Sequence, residues 1–201
     1  MAADRRELIE SVALSPLAMV LSNPARPDNP IEVANSAFCE LTGYPEADIV
    51  GRNCRFLAGE ATEDEATAEI RKAIRDARPA LVDILNYRRD GSAFRNGVMI
   101  TPLFDAEGKV AWFLGSQVDL GGEARGGLQL RRSGAAARVA TLAPRQRQVL
   151  ELMARGLLNK QIAWELKISE KTVKMHRALV LDRLRVASSA EAIRLAVEAG
   201  L

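Results

Sequence analysis

Cys54 stands in the run Gly51-Arg52-Asn53-Cys54-Arg55-Phe56-Leu57, with Arg52 two residues before it and Arg55 directly after. Guanidiniums that close could lower the thiol pKa or hold an anion beside it, whereas the ordinary fate of a free cysteine is burial in a core. Three amides sharpen the choice. The runs Ala80–Arg88, Ala93–Leu103 and Lys109–Leu120 have the period-two texture of strands. Alternation sets Val82, Ile84 and Asn86 on one face of the first run. Phe94, Asn96, Val98 and Ile100 take the matching face of the second, and Phe113 and Gln117 that of the third. A buried amide without partners costs about 1–3 kcal/mol. Asn86, Asn96 and Gln117 among Val, Ile and Phe therefore predict something polar to bind, and a flat heteroaromatic with donors and acceptors on one edge would satisfy them. Mutual pairing or buried water is the alternative. His176 is the only histidine, and with no second histidine and no paired cysteines near it no metal site is expected.

The elements that must position these residues fall into two groups. The links Asp90-Gly91 and Glu107-Gly108 are hairpin turns, so the three long strands are antiparallel and the first module is α+β. Before them come a helix over Asp4–Ala13, short strands Leu17–Leu21 and Ile31–Ala34, and a helix Ser36–Thr42 capped by Asn35 and stopped by Gly43. A longer helix is predicted over Thr62–Ala77, with Ala66, Ile70, Ala73, Ile74 and Ala77 on one face. From Gly121 to Gly134 five glycines mix with Arg125, Arg131 and Arg132, a linker with a helical piece over Leu128–Leu142. The rest is helical: Pro144–Arg155 up to Gly156, Lys160–Leu166 capped by Asn159, Glu170–Leu184 capped by Ser169, and Ser189–Ala199 behind the capping box Ser188-x-x-Glu191. The tight connection Lys167–Ser169 makes a helix-turn-helix candidate. On its second helix Val173, Val180 and Leu184 form the core stripe, while Lys171, Lys174, Met175 and Ala178 lie opposite, as a groove-reading face or as an ordinary solvated one. The expected division is an N-terminal helix at 1–13, a sensor module at 14–120, a linker at 121–141 and a helix-turn-helix at 142–201.

Charge follows the same seam. Of 201 residues, 1–120 carry 13 Lys and Arg against 19 Asp and Glu, a net of −6, and 121–201 carry 15 against 7, a net of +8. A basic last third beside an acidic remainder points to a polyanion as partner of the last third. A content of 48% hydrophobic and 27% charged residues fits a globular chain and excludes a disordered one. No run approaches the ~18 apolar residues of a membrane span. Ser11–Leu21 follows a charged segment, contains Pro16 and lacks a cleavage site, so it is read as structure and not as a secretion signal. Cys39 and Cys54 form no disulfide framework and suit a reducing cytoplasm.

The segment LAPRQRQVLELMARGLLNKQIAWELKISEKTVKMHRALVLDRL closely resembles the LuxR/NarL-type helix-turn-helix in its L-x-x-R, G-x-x-N-K-x-I-A and I-S-x-x-T-V-K-x-H signatures. The resemblance runs from Leu142 to about Leu201. It implies binding to double-stranded DNA, with base readers at Lys174, Met175 and Ala178, phosphate contacts from Lys160, Lys171 and Thr172, and a fourth helix, Ser189–Ala199, that pairs two copies. Lys167 stands at a turn position usually glycine, and Ala178 is shorter than the family's usual residue there. GRNCRFL, LNYRRDG, FRN and FLGSQV, in that order, resemble the LOV subgroup of PAS domains over about Leu14–Asp119. That resemblance implies a five-stranded antiparallel sheet with flanking helices around a flavin, FMN rather than FAD because no insertion follows Leu57. Cys54 would form a blue-light adduct with it. Asn53 would contact the ribityl chain, Arg55 and Arg71 the phosphate, Asn86 and Asn96 the pyrimidine edge, and Gln117 N5 and O4, with Phe113 on the same pocket face. Ala58 stands where many members have Gln.

Together these readings predict a light-regulated transcription factor, not an enzyme. The outer sheet face, with Trp112, Leu114 and Val118, would hold the fourth helix in a dark monomer. Adduct formation would release it for a lit homodimer on DNA. A redox- or ligand-sensing regulator without photochemistry is the rival. A phospho-receiver is excluded by the antiparallel hairpins, and a flavin oxidoreductase by the lack of a nicotinamide-binding Gly-rich turn or a general base.

Overall fold

The computed structural model describes residues 2–121 and 127–201, so Gly122, Arg125 and Gly126 of the expected linker lie outside the described residues. Asn35 organises the start of the chain. Its Oδ1 accepts from Phe38 N and Met19 N, both at 3.0 Å, and its Nδ2 donates to the carbonyls of Val12, Ser15 and Leu17. One buried side chain thus ties the end of α1 (Ala2–Ala13) to β1 (Ala18–Ser22) and caps α2 (Ser36–Thr42). After β2 (Ile31–Ala34) and α2 come α3 (Glu46–Ile49), a 3-10 turn at Cys54–Leu57 and α4 (Asp64–Arg75). Neither α3 nor the turn was foreseen: each has four residues, too few to show a period. The helix α4 is shorter than predicted. Thr62 Oγ1 donates to Leu85 O at 2.8 Å and accepts from Gly59 N, and Ala77 turns left-handed at φ 47°.

β3 (Ala80–Tyr87), β4 (Ala93–Phe104) and β5 (Val110–Gln117) complete a five-stranded antiparallel sheet of order β2-β1-β5-β4-β3. The fold is α+β, as the hairpin turns require. β5 stops at Gln117 and not at Leu120, the pairing with β4 continuing only through an isolated bridge at Asp119. The inner face packs on α2, the 3-10 turn and α4 through two small clusters, Val20, Ile31, Phe38, Ile49 and Leu57 on one side and Ala73, Ala80 and Val82 on the other.

The helices α5 (Gly127–Val139), α6 (Pro144–Ala154), α7 (Asn159–Leu166), α8 (Glu170–Leu184) and α9 (Ser189–Glu198) form the second module. Asn159 does not cap α7, contrary to expectation. The helix begins one residue earlier, Leu158 takes the cap position with its N–H on Gln161 Oε1, and Asn159 Oδ1 instead accepts from Arg177 at 2.6 Å. Lys167 ends α7 in the left-handed conformation that favours glycine, at φ 54°. Gly156 is required twice over. Its φ is +81°, and a Cβ there would meet the Pro102 carbonyl oxygen of β4 at 2.0 Å. Val173, Val180 and Leu184 are buried as the stripe predicts.

The two modules share a core. One cluster joins Val12, Met19, Met99 and Leu114 of the first to Val149, Ile162, Val180 and Ala196 of the second. The outer sheet face is thereby covered by the helical module. Among the described residues no helix is long and apolar enough to cross a membrane.

Candidate functional site

Inside the sheet lies a cavity of about 160 Å3, lined by Asn53, Cys54, Arg55, Arg71, Asn86, Phe113 and Gln117 of the predicted set. Asn96 is fully buried just behind the rim, where its Nδ2 donates to Asn86 Oδ1 at 2.9 Å and to Gln117 Oε1 at 3.1 Å. Gln117 Nε2 in turn donates to Cys54 Sγ at 3.5 Å, and Asn86 Nδ2 to Leu85 O. Mutual pairing, the alternative left open above, thus satisfies most of the amide atoms. It leaves Asn96 Oδ1 buried with no partner, a spare acceptor of the kind a heteroaromatic edge with an N–H would take up. The cavity is smaller than the ~300–1,000 Å3 of most small-molecule sites. A three-ring ligand fits the donor set and would separate these amides on entering.

The arginines do not activate the thiol. Arg52 turns away and stacks on Phe56, its guanidinium carbon 4.4 Å from the ring centre. Arg55 pairs with both oxygens of Asp28 at 2.6 Å. Burial pushes the Cys54 thiol up to about 11, against a smaller downward pull from the Gln117 hydrogen bond, so it is a neutral S–H at ordinary pH. Asn53 caps the 3-10 turn, with Oδ1 accepting from Arg55 N at 3.0 Å and Nδ2 donating to Asp28 O at 2.6 Å. That cap aims Cys54 at Gln117. Arg71 is exposed on α4 at the cavity mouth. Neither Asp28 nor Asn29, both left-handed, was singled out from sequence, although the Pro/Asn/Asp turn cluster around them marks the place.

On the opposite sheet face sits a residue that periodicity did not pick out. Arg194 of α9 is 1% exposed and donates from Nη1 to Ser116 Oγ at 3.0 Å, from Nη2 to Gly97 O at 3.0 Å, and from Nε to Glu198 Oε1 at 2.8 Å. Arg131 of α5 reaches the same Glu198 oxygen at 3.0 Å. Burial pulls the Arg194 guanidinium down to about 10, against the attraction of Glu198, so it stays charged. A cation among Ala192, Ile193, Leu195 and Ala196 with an acid four residues on was its sequence signal. Other bonds also cross the seam, among them Thr101 Oγ1 donating to Ala154 O at 2.7 Å and Phe104 N to Gly156 O at 3.1 Å. α9, expected to pair two copies, is here packed against the sheet as well as against α5, α6 and α8.

On α8, Lys171, Lys174, Met175 and Ala178 are exposed, as is Lys160 on α7, while Thr172 is half-buried with its N–H on Ser169 Oγ. His176 is half-buried and its Nδ1 has no partner.

Residues 16–121 match the PAS domain model, and residues 140–196 match that of bacterial regulatory proteins of the luxR family. A blue-light-activated histidine kinase of Rhizobium johnstonii is 46% identical over 119 residues, 59% of this chain and 34% of the kinase. The chain thus spans between 22% and 34% of the length of such curated relatives. The LOV domain of a blue-light-activated histidine kinase of Erythrobacter litoralis is 40% identical with a TM-score of 0.51, over 53% of this chain and 97% of that domain. The light-state dimer of the fungal blue-light photoreceptor Vivid is 30% identical with a TM-score of 0.51, over 52% of this chain and 78% of Vivid.

Proposed function

The chain belongs to the PAS domain family, in its LOV branch, and carries a luxR-family helix-turn-helix, and from this premise we propose that it is a blue-light-regulated DNA-binding transcription factor with FMN in the inner cavity. It is read as a regulator and not an enzyme, acting on double-stranded DNA in the cytoplasm. One observation carries the reading. Neighbouring residues of β5 face the two sites: Gln117 donates to Cys54 on the inner face, and Ser116 accepts from Arg194 on the outer.

When bound, the flavin would supply blue-light absorption and an electrophilic ring carbon for the Cys54 sulfur, with a ring nitrogen able to take up the thiol proton. The neutral thiol, held by the Asn53 cap, carries that proton in place. Asn53 would contact the ribityl chain and Phe113 would pack on the rings. Arg71 would hold the phosphate together with Arg55, which would give up Asp28 to do so. Asn86 and Asn96 would hold the pyrimidine edge in place of their mutual bond. Gln117 would face N5 and O4 of the rings, and a reversal of its amide there would move its neighbour Ser116. Arg194 loses one of its partners and α9 leaves the sheet.

Freed α9 pairs with a second copy, and two α8 helices reach two half-sites. Lys174, Met175 and Ala178 meet base edges and Lys160, Lys171 and Thr172 meet phosphates. A full switch from 1:99 to 99:1 needs ~5.5 kcal/mol, more than one hydrogen-bond exchange supplies. Light therefore shifts the equilibrium in part, and dimerisation and DNA binding complete it. The light-state dimer of Vivid supports pairing in the light.

The test is the visible spectrum of the purified, FMN-loaded chain in darkness and after blue light. Bleaching that recovers in the dark, and is absent from a still-coloured Cys54→Ala variant, supports the photoreceptor. A flavin band indifferent to light would instead favour the rival, a redox- or ligand-sensing regulator that uses the same pocket without photochemistry.

A further inference from the structure

A second cavity, of about 380 Å3, lies between α1, the turn end of the β4–β5 hairpin and the junction of α6 with α7. Its walls are apolar, with Leu8, Leu103, Trp112, Met153, Leu157 and Ile193 facing the space. One end is polar. There Arg177 donates to Asn159 Oδ1 at 2.6 Å and to Ser189 Oγ at 2.8 Å, and Glu7 Oε1 lies 3.5 Å from the same guanidinium. The other carboxylate lining the space, Asp105, accepts from the backbone N–H groups of Glu107 and Lys109. Arg177 therefore already has its partners, so an anion would find no free cation there, and any charged ligand would have to shed its water into mainly apolar walls.

An apolar cavity of ~150 Å3 already takes up benzene. By that scale the present space holds about ten to fifteen non-hydrogen atoms, and it falls within the ~300–1,000 Å3 of small-molecule sites. We propose that this cavity is a ligand site for a neutral, mainly apolar small molecule with one hydrogen-bonding end, and that its occupancy holds the two modules together against light.

The coupling follows from who supplies the walls. β4 and β5 form one side, and α6, α8 and α9 the other, so the complete site exists only while the modules are docked. A ligand that binds only the docked form at one hundred times its dissociation constant favours that form about a hundredfold. The site itself stands on this geometry alone. Its effect on DNA rests on the release reading above.

Trp112 reports on the site. Trp164, the other tryptophan, is 81% exposed, so a Trp164→Phe chain isolates the signal. The FMN-loaded Trp164→Phe chain is titrated in darkness with 1-decanol, and separately with decanoate and decylammonium below micelle formation. Expected is a saturable emission change for 1-decanol with one molecule per chain, at least tenfold weaker for both charged analogues. Saturating 1-decanol should also lower the affinity of the illuminated chain for a selected DNA duplex at least tenfold. Ala111→Phe, which fills the space, should abolish both effects in a chain that still bleaches in blue light. No saturable response to 1-decanol, a response unchanged by Ala111→Phe, or binding without any change in DNA affinity would each overturn the proposal. If Ala111→Phe fails to load flavin, the titration and the charged analogues still decide it. Absence of any light-driven DNA binding without 1-decanol would count against the release reading, and the titration would still test the site.

Discussion

On the inner face of the sheet three amides bond chiefly to one another around a cavity, with two small apolar clusters beside them. On the outer face a single guanidinium has its nitrogens on Ser116, Gly97 and Glu198, and the apolar side chains of both modules merge into one cluster. The inner face is underfilled and has an acceptor to spare at Asn96, whereas the outer face resembles a domain core cut in half. The difference teaches where a switch can be thrown. A filled face resists change and an underfilled one accepts a ligand, so the signal must start inside. To open the outer face, the release reading also needs a second cover for α9, which in that reading would be a partner copy.

The comparison can be broken most forcefully at Arg194. Arg194→Ala leaves Glu198, whose side chain is 4% exposed, to Arg131 alone and strips donors from Ser116 and Gly97. Breaking a buried pair costs about 3–5 kcal/mol, so a large fall in Tm and DNA binding in darkness are expected. A Tm within a few degrees of the parent and a silent dark state would show that the outer face does not depend on this residue. Gln117→Leu acts from inside. It should keep flavin bleaching but cut the light-driven gain in DNA affinity at least tenfold, and an undiminished gain would rule out the route through the glutamine. Thr101→Val removes the fully buried hydroxyl that donates to Ala154 O and should cost about 1–2 kcal/mol in denaturant unfolding, with the flavin spectrum unchanged.

The smallest effect expected is none. With the Cys54 thiol raised to about 11, bleaching amplitude should stay flat between about pH 6 and pH 9. A drop in that window would place the thiol pKa far lower. The sign for stability is also set. The folded chain holds this proton more tightly than the unfolded one, so the contribution is whole below the ordinary thiol pKa and is lost as pH rises through about 11.

Much of the cavity was legible in the sequence because strand alternation has a rigid period. Once Ile84 was inward, Asn86 had to be, and the matching runs brought Asn96, Phe113 and Gln117 to the same side. The recognition helix was legible for the same reason, from Val173, Val180 and Leu184. Arg52 and Arg55 were not. A long, flexible cation has many partners within reach, and Phe56 and Asp28 took them before the thiol could. Asn159 shows the same weakness at a helix start, where a shift of one residue turned an expected cap into a partner of Arg177.

The sequence alone determined the kind of each long element, the seam in charge near residue 121, the inner face of the sheet and the outward face of α8, because each is written in local periodicity or composition. Only the tertiary structure decided that Arg194 is the cation buried between the modules, that the amides pair with one another, and that α1, the hairpin end and the α6–α7 junction leave an apolar cavity. Periodicity states which face of an element is apolar. The neighbour that face meets, and how completely the two fill the space between them, depends on the shapes of side chains brought together from far apart in the chain.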